Sequence, residues 1–140
     1  MHKDTIKNSI REDASEEFDI LFPERFIKNT DYYNSLMMMY RCAIREVSTK
    51  LEVLDDEFSV KYKRNPISSI KSRIKTPLSI YNKLQRLGYE FTEQNIREQL
   101  NDVAGIRVIC SFVDDIYAVA RLLADQDDIT IIRIKDYIQN

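Results

Sequence analysis

Glycine is almost missing from this chain: Gly88 and Gly105 are the only two in 140 residues. Neither a Walker A loop nor a Gly-x-Gly-x-x-Gly turn can be written anywhere, so any grip on phosphate has to come from side chains. Histidine is scarcer still. His2, at the amino terminus, is the one imidazole, which argues against Ser-His-Asp chemistry, zinc hydrolysis and His-Asp metal phosphohydrolysis. The two cysteines, Cys42 and Cys110, lie far apart inside apolar runs and read as buried, reduced thiols of a cytoplasmic protein. No run approaches the ~18 consecutive apolar residues of a membrane helix, and Met1 to Arg11 is polar where a signal peptide is apolar. The net charge is -2, from 21 basic and 23 acidic residues. The chain as a whole therefore has no pull toward DNA, RNA or an acidic membrane, and an anion site has to be local.

What is present fits one domain. With 44% hydrophobic and 31% charged residues, the length suits a single compact core. Residues 1–30 read as an arm or short helices, with an apolar cluster from Phe18 to Ile27 broken by Pro23, and residues 31–140 as the domain proper. From Asp31 to Phe58 the residues Tyr33, Leu36, Tyr40, Ile44, Val47, Leu51, Leu54 and Phe58 recur at steps of three and four, the spacing of one helix face. Met37, Met38 and Met39 widen that face, for core or subunit packing.

After Pro66, Ile67 to Lys75 alternates, Ile70, Ser72 and Ile74 on one side and Lys71, Arg73 and Lys75 on the other, as in a half-buried strand with a basic face. Thr76 and Pro77 then read as a helix cap and first position, with Gly88 as the stop. A short helix from Glu93 to Leu100, a strand from Val103 to Phe112, a helix capped by Asp114 or Asp115 with the face Ile116, Val119, Leu122 and Leu123, and a buried strand from Ile129 to Ile134 complete the chain. The order predicts an α+β domain, a mixed β-sheet flanked by helices.

Ser79, Lys83 and Arg86 stand at i, i+4 and i+7 on the capped helix, one polar stripe beside the apolar stripe of Ile80, Leu84 and Leu87. The strand that precedes it ends on Arg73 and Lys75. Gathering four cations costs about 1 kcal/mol per pair at intermediate dielectric, which a polyanion removes; otherwise these are solvated surface charges. Lysine offers phosphate a compact charge, and arginine a planar fork or a flat face for a base. Asp102 opens the next strand, as a metal ligand beside phosphates or as a turn carboxylate. Strict alternation separates it from Arg107 unless Asp102 lies at the strand mouth or Gly105 marks a bulge.

The pattern Arg73-x-Lys75-x-x-x-Ser79-x-x-x-Lys83-x-x-Arg86 followed by Asp102-Val-Ala-Gly-Ile-Arg107-Val, with Lys135-Asp-Tyr-Ile at the tail, resembles the synthetase domain of the RelA/SpoT family, specifically the small alarmone synthetases. The resemblance implies a nucleotidyltransferase-like (p)ppGpp synthetase domain. Its activity would be that of a GTP pyrophosphokinase, moving the β,γ-pyrophosphate of ATP to the 3′-hydroxyl of GDP or GTP with Mg²⁺ spanning the phosphates. By position, Arg73 and Arg107 would stack on adenine, Lys75, Ser79, Lys83 and Arg86 would hold the phosphates, and Asp102 would bind the metal.

The resemblance also implies a synthetase without a hydrolase, a homotetramer in the full-length protein, and a role in the stringent response. The family continues with a loop of the type Pro-Lys-x-Asn-Gly-Tyr-x-Ser-Leu-His and a later glutamate, neither of which occurs in this sequence. The expectation is a partial domain that binds ATP but does not turn over. A different class of function is a single-stranded RNA-binding module, with the same cations on the backbone and Tyr81 or Tyr89 stacking on bases.

Overall fold

The computed structural model of the chain describes residues 25–139, with side chains from Asp31 onward. The expected amino-terminal arm therefore lies outside the described residues, apart from the helical backbone that begins at Arg25. In chain order the elements are α1 (Arg25–Tyr62), β1 (Ile67–Ile74), α2 (Pro77–Leu87), α3 (Glu93–Gln99), β2 (Ala104–Cys110) and α4 (Val113–Ala124). β1 and β2 form a two-stranded sheet. Lys75 N–H donates to Val103 C=O at one end and Ser111 N–H to Pro66 C=O at the other, so the strands run antiparallel. The architecture is α+β, as the element order predicts.

The chain divides into two compact units. The first takes residues through Tyr40 and Ile74–Val103, the second Arg41–Arg73 and the chain from Ala104. In the first, the core is built by Tyr33, Leu36 and Met37 of α1, Ile80 and Leu84 of α2, Ile96 of α3, and Leu100 and Val103 beyond it. Phe91 sets its ring 6.0 Å from both Tyr33 and Tyr81. α2 starts where the sequence says it should. The Thr76 hydroxyl accepts from Ser79 N–H, Pro77 occupies the first turn, and Gly88 closes the helix at φ 81 with Tyr89 N–H returning to Leu84 C=O. That left-handed conformation is one an L side chain resists. Thr92 caps α3 in the same way through Asn95 N–H.

In the second unit, α1 contributes buried Leu51 and Leu54 and α4 contributes buried Val119. The connection from α1 to β1 turns through Lys63 at φ 56. Asp55 holds it, accepting from Asn65 Nδ2 and Ile67 N–H. The Arg64 guanidinium lies between the rings of Phe58 and Phe112, 5.3 and 5.1 Å from their centroids, and makes two parallel bonds of 2.6 and 2.7 Å to the buried carboxylate of Asp115. Those bonds hold the Asp115 carboxyl below the usual carboxylate range.

Several expectations change. The helix α1 extends beyond both ends of the expected span 31–58. Neither Asp114 nor Asp115 caps α4: both lie inside its first turn, Phe112 occupies the cap position without a side-chain bond, and the Asp115 carboxylate is engaged by Arg64. The buried face of α4 is accordingly rotated to Asp115 and Val119, leaving Ile116 and Leu122 exposed. Cys42 is exposed, since it lies off the stripe of α1, while Cys110 is half-buried; both are free thiols. Met37 is buried but Met38 and Met39 are half exposed, and Leu87 is exposed beyond the buried pair Ile80 and Leu84. Finally, Ile129 to Ile134 forms no strand, and Ile132 is 90% exposed. Its β-branched residues have the propensity, but a strand needs a neighbour to satisfy its backbone.

Leu84→Ala should lower stability by about 2–5 kcal/mol and Leu87→Ala by less than about 1 kcal/mol. Urea midpoints of the two variants check this, and equal losses would contradict the packing of α2.

Candidate functional site

Three of the residues singled out in the sequence meet in the first unit. The Asp102 carboxylate oxygen Oδ2 accepts from Lys75 Nζ at 3.0 Å and from Lys83 Nζ at 2.7 Å. Local structure explains the meeting. Leu100 and Val103, 4% and 2% exposed, bury on either side of Asn101 and Asp102 and fix that short connection. The bond from Lys75 N–H to Val103 C=O sets the residue that follows β1 beside it. Lys83 arrives from the middle of α2, held by its neighbours Ile80 and Leu84 in the core.

The two lysine side chains are 14% and 29% exposed against 45% for the carboxylate. Burial on its own would raise the Asp102 carboxyl, but the hydrogen bonds from Lys83 and Lys75, with their charges, outweigh it and hold the carboxyl below its ordinary value.

Ser79 is exposed at the start of α2, where its hydroxyl oxygen accepts from the Thr76 hydroxyl at 2.9 Å. Thr76 therefore orients the Ser79 hydroxyl as well as capping the helix. The Thr-Pro pair in the sequence announces the cap alone, because the second bond depends on the rotamer of both side chains. Arg86 is exposed in the last turn of α2, on the same stripe, and enters no ion pair among the described residues.

Arg73 and Arg107 belong to the second unit. Burial alternates without interruption along β2, with Gly105, Arg107 and Ile109 exposed. Gly105 therefore makes no bulge, and Asp102 precedes the strand. Lys71 and Arg73 of β1 and Gly105 and Arg107 of β2 are all exposed, which leaves the two arginines on solvent-facing positions of the sheet. A Cβ added at Gly105 would meet nothing within 4 Å, so the surface above Gly105 is open. An exposed guanidinium beside open backbone can offer a flat ring a face to stack on.

At the tail, Asp136 accepts from the Tyr117 hydroxyl at 2.9 Å and from the N–H groups of Ile138 and Gln139. The segment Lys135-Asp-Tyr-Ile is therefore a turn fastened to α4.

For the magnesium expected beside phosphates, the carboxylate gathered with the lysines is that of Asp102. Among the described residues no group of three or more His, Cys, Asp or Glu side chains stands close enough to hold a metal. A single carboxylate fits Mg²⁺ when phosphate oxygens and water complete the shell. The donor set therefore suits an ion brought in with a nucleotide, and does not make a cage of its own.

Residues 72–140 match the region found in RelA / SpoT proteins. The chain belongs to the RelA/SpoT family. It is 41% identical over 109 residues to the GTP pyrophosphokinase YwaC of Bacillus subtilis, covering 78% of this chain and 51% of that protein. Small alarmone synthetase 1 of Bacillus subtilis has the same fold in two solved states. Bound to AMPCPP it superposes with a TM-score of 0.64 at 30% identity, over 77% of this chain and 56% of that one. Bound to its product pppGpp the TM-score is 0.66 at 30% identity, over 77% and 54%. The chain thus spans about half the length of these relatives. No helix among the described residues is long and apolar enough to cross a membrane.

Because its folded-state pKa is depressed, Asp102 contributes stability above its unfolded value of about 3.9 and loses it as pH falls through the folded value. The stability gap between the protein and Asp102→Asn should be present at pH 7 and close below about pH 4. Denaturation curves at the two pH values check it, and a gap that widens in acid would contradict the ion pairs.

Proposed function

We propose that this chain supplies the ATP side of a GTP pyrophosphokinase, which transfers the pyrophosphate of ATP to the 3′-hydroxyl of GDP or GTP. The observation that carries the reading is the convergence of Lys75 and Lys83 on one oxygen, 3.0 and 2.7 Å away. Two ammonium groups held at one point from different elements are what a phosphate chain requires. The relatives named as GTP pyrophosphokinases, and the one bound to AMPCPP and to pppGpp, support the same class of substrate.

The roles follow from side-chain chemistry. Lys75 and Lys83 take phosphate oxygens as compact charges, and Arg86, further along the stripe, offers a fork to the outer phosphate. The Ser79 hydroxyl, oriented by Thr76, donates to a phosphate oxygen. Arg73 and Arg107 take the purine ring. In the reaction the 3′-oxygen attacks the β-phosphorus, the bond to the bridging oxygen breaks, and AMP leaves. Fixed cations around the transferred group lower the barrier because they are already oriented when its charge redistributes. Magnesium, when bound by Asp102 and the phosphates, adds further neutralisation of that charge. The 140 residues span about half the length of these relatives, and for them the proposal is binding of the nucleotide donor.

The RNA-binding reading draws no support from the aromatic residues. Tyr81 packs its ring on Phe91 inside the first unit, which leaves Tyr89 as the remaining exposed candidate. Length-dependent RNA affinity with a steep salt slope, without competition by ATP·Mg, would favour that reading.

Lys83→Ala and Arg73→Ala should each weaken ATP·Mg binding by about tenfold or more, the worth of one charge-assisted contact. Calorimetric titration measures it, and unchanged affinity in both variants would remove the proposed site.

A further inference from the structure

A carboxylate beside a phosphate site invites assignment as a partner for the cation that the nucleotide brings, yet Asp102 here occupies the groups that would receive the nucleotide. Both lysine nitrogens rest on the same oxygen, Oδ2. The lysines are the better buried of the three side chains, at 14% and 29% against 45% for the carboxylate. Two ammonium groups brought to one point repel each other unless an anion stands between them.

We propose that Asp102 is a built-in counter-ion, a placeholder for phosphate that keeps Lys75 and Lys83 ordered and converged while no nucleotide is bound. This rests on the reading of the lysines as phosphate ligands.

The chemistry of exchange follows from charge. Two ammonium groups and one carboxylate leave the cluster with one net positive charge, so a polyphosphate has to displace the carboxylate from the lysines before it gains both. Without a divalent cation the displaced carboxylate faces the incoming anion directly and opposes binding. With Mg²⁺ present the carboxylate has a cation to turn to, and the same displacement ceases to cost affinity. Asp102 thereby makes the site prefer a metal-complexed polyphosphate over the bare one. It is a positioning and selectivity residue in addition to any metal contact, and the preference belongs to the lysine pair as much as to the carboxylate.

Inorganic tripolyphosphate is the probe, titrated into the full chain by calorimetry in EDTA and again in Mg²⁺. In EDTA, Asp102→Asn should bind tripolyphosphate more tightly than the unmodified protein, on the order of tenfold. In Mg²⁺ the order should reverse. Asp102→Ser is the second variant, and melting curves establish that each is folded. Equal or weaker binding by both folded variants in EDTA overturns the placeholder role. The outcome separates from that of the functional reading. ATP·Mg binding by the unmodified protein with no gain in the variants sinks the counter-ion alone. A gain in the variants with no ATP·Mg binding by the unmodified protein sustains the counter-ion and sinks the nucleotide reading.

Discussion

The bond from Lys75 N–H to Val103 C=O is the constraint on which the first unit turns. It joins the end of β1 to the start of β2 across a stretch of chain that contains both α2 and α3. Closing such a loop costs conformational entropy, which the packing of Ile80, Leu84, Ile96, Leu100 and Val103 offsets. Once it is closed, Lys75 and Asp102 are neighbours whatever else the surface does. Lys83 is then delivered by the phase of α2, which the buried pair Ile80 and Leu84 sets.

The second unit depends on an interaction of a different kind. Arg64 is stacked between two aromatic rings and bonded twice to a buried carboxylate. A buried carboxylate without its guanidinium would be strongly disfavoured, so the pair ties the end of α1 to the first turn of α4. Its consequence for the site is indirect: it steadies the connection into β1, the strand that carries Arg73. Like the lysine cluster it is an ion pair with one well-buried member. Unlike it, the pair is bidentate and flanked by rings, which suits a permanent fastening where the lysine cluster suits exchange.

Local signals in the sequence are legible where they act over one turn or one strand. Thr76, Pro77 and Gly88 mark both ends of α2, Thr92 marks α3, and the alternation of Gly105, Arg107 and Ile109 marks an exposed face of β2. The stripe from Tyr33 to Phe58 outlines the buried face of α1, because apolar residues at steps of three and four gather on one side of a helix and would scatter over both sides of a strand. Sequence reasoning fails where an outcome depends on a distant partner. Asp115 has the spacing of a helix cap, but its partner Arg64 lies far away in sequence. Ile129 to Ile134 has the composition of a buried strand, but propensity cannot supply the neighbour that a strand requires.

The sequence by itself determined which side chains could serve an anion, since with two glycines and one histidine, at position 2, no glycine loop can be written and the spaced cations remain. It also determined the class of the domain, because the motif from Arg73 to Arg107 is long and specific. Only the tertiary structure decided that Lys75 and Lys83 share a single carboxylate oxygen, that the Ser79 hydroxyl answers to Thr76, and that the surface above Gly105 is open. Those arrangements depend on side-chain rotamers and on residues from separate elements, and their distances follow from how the core packs, which no spacing along the chain encodes.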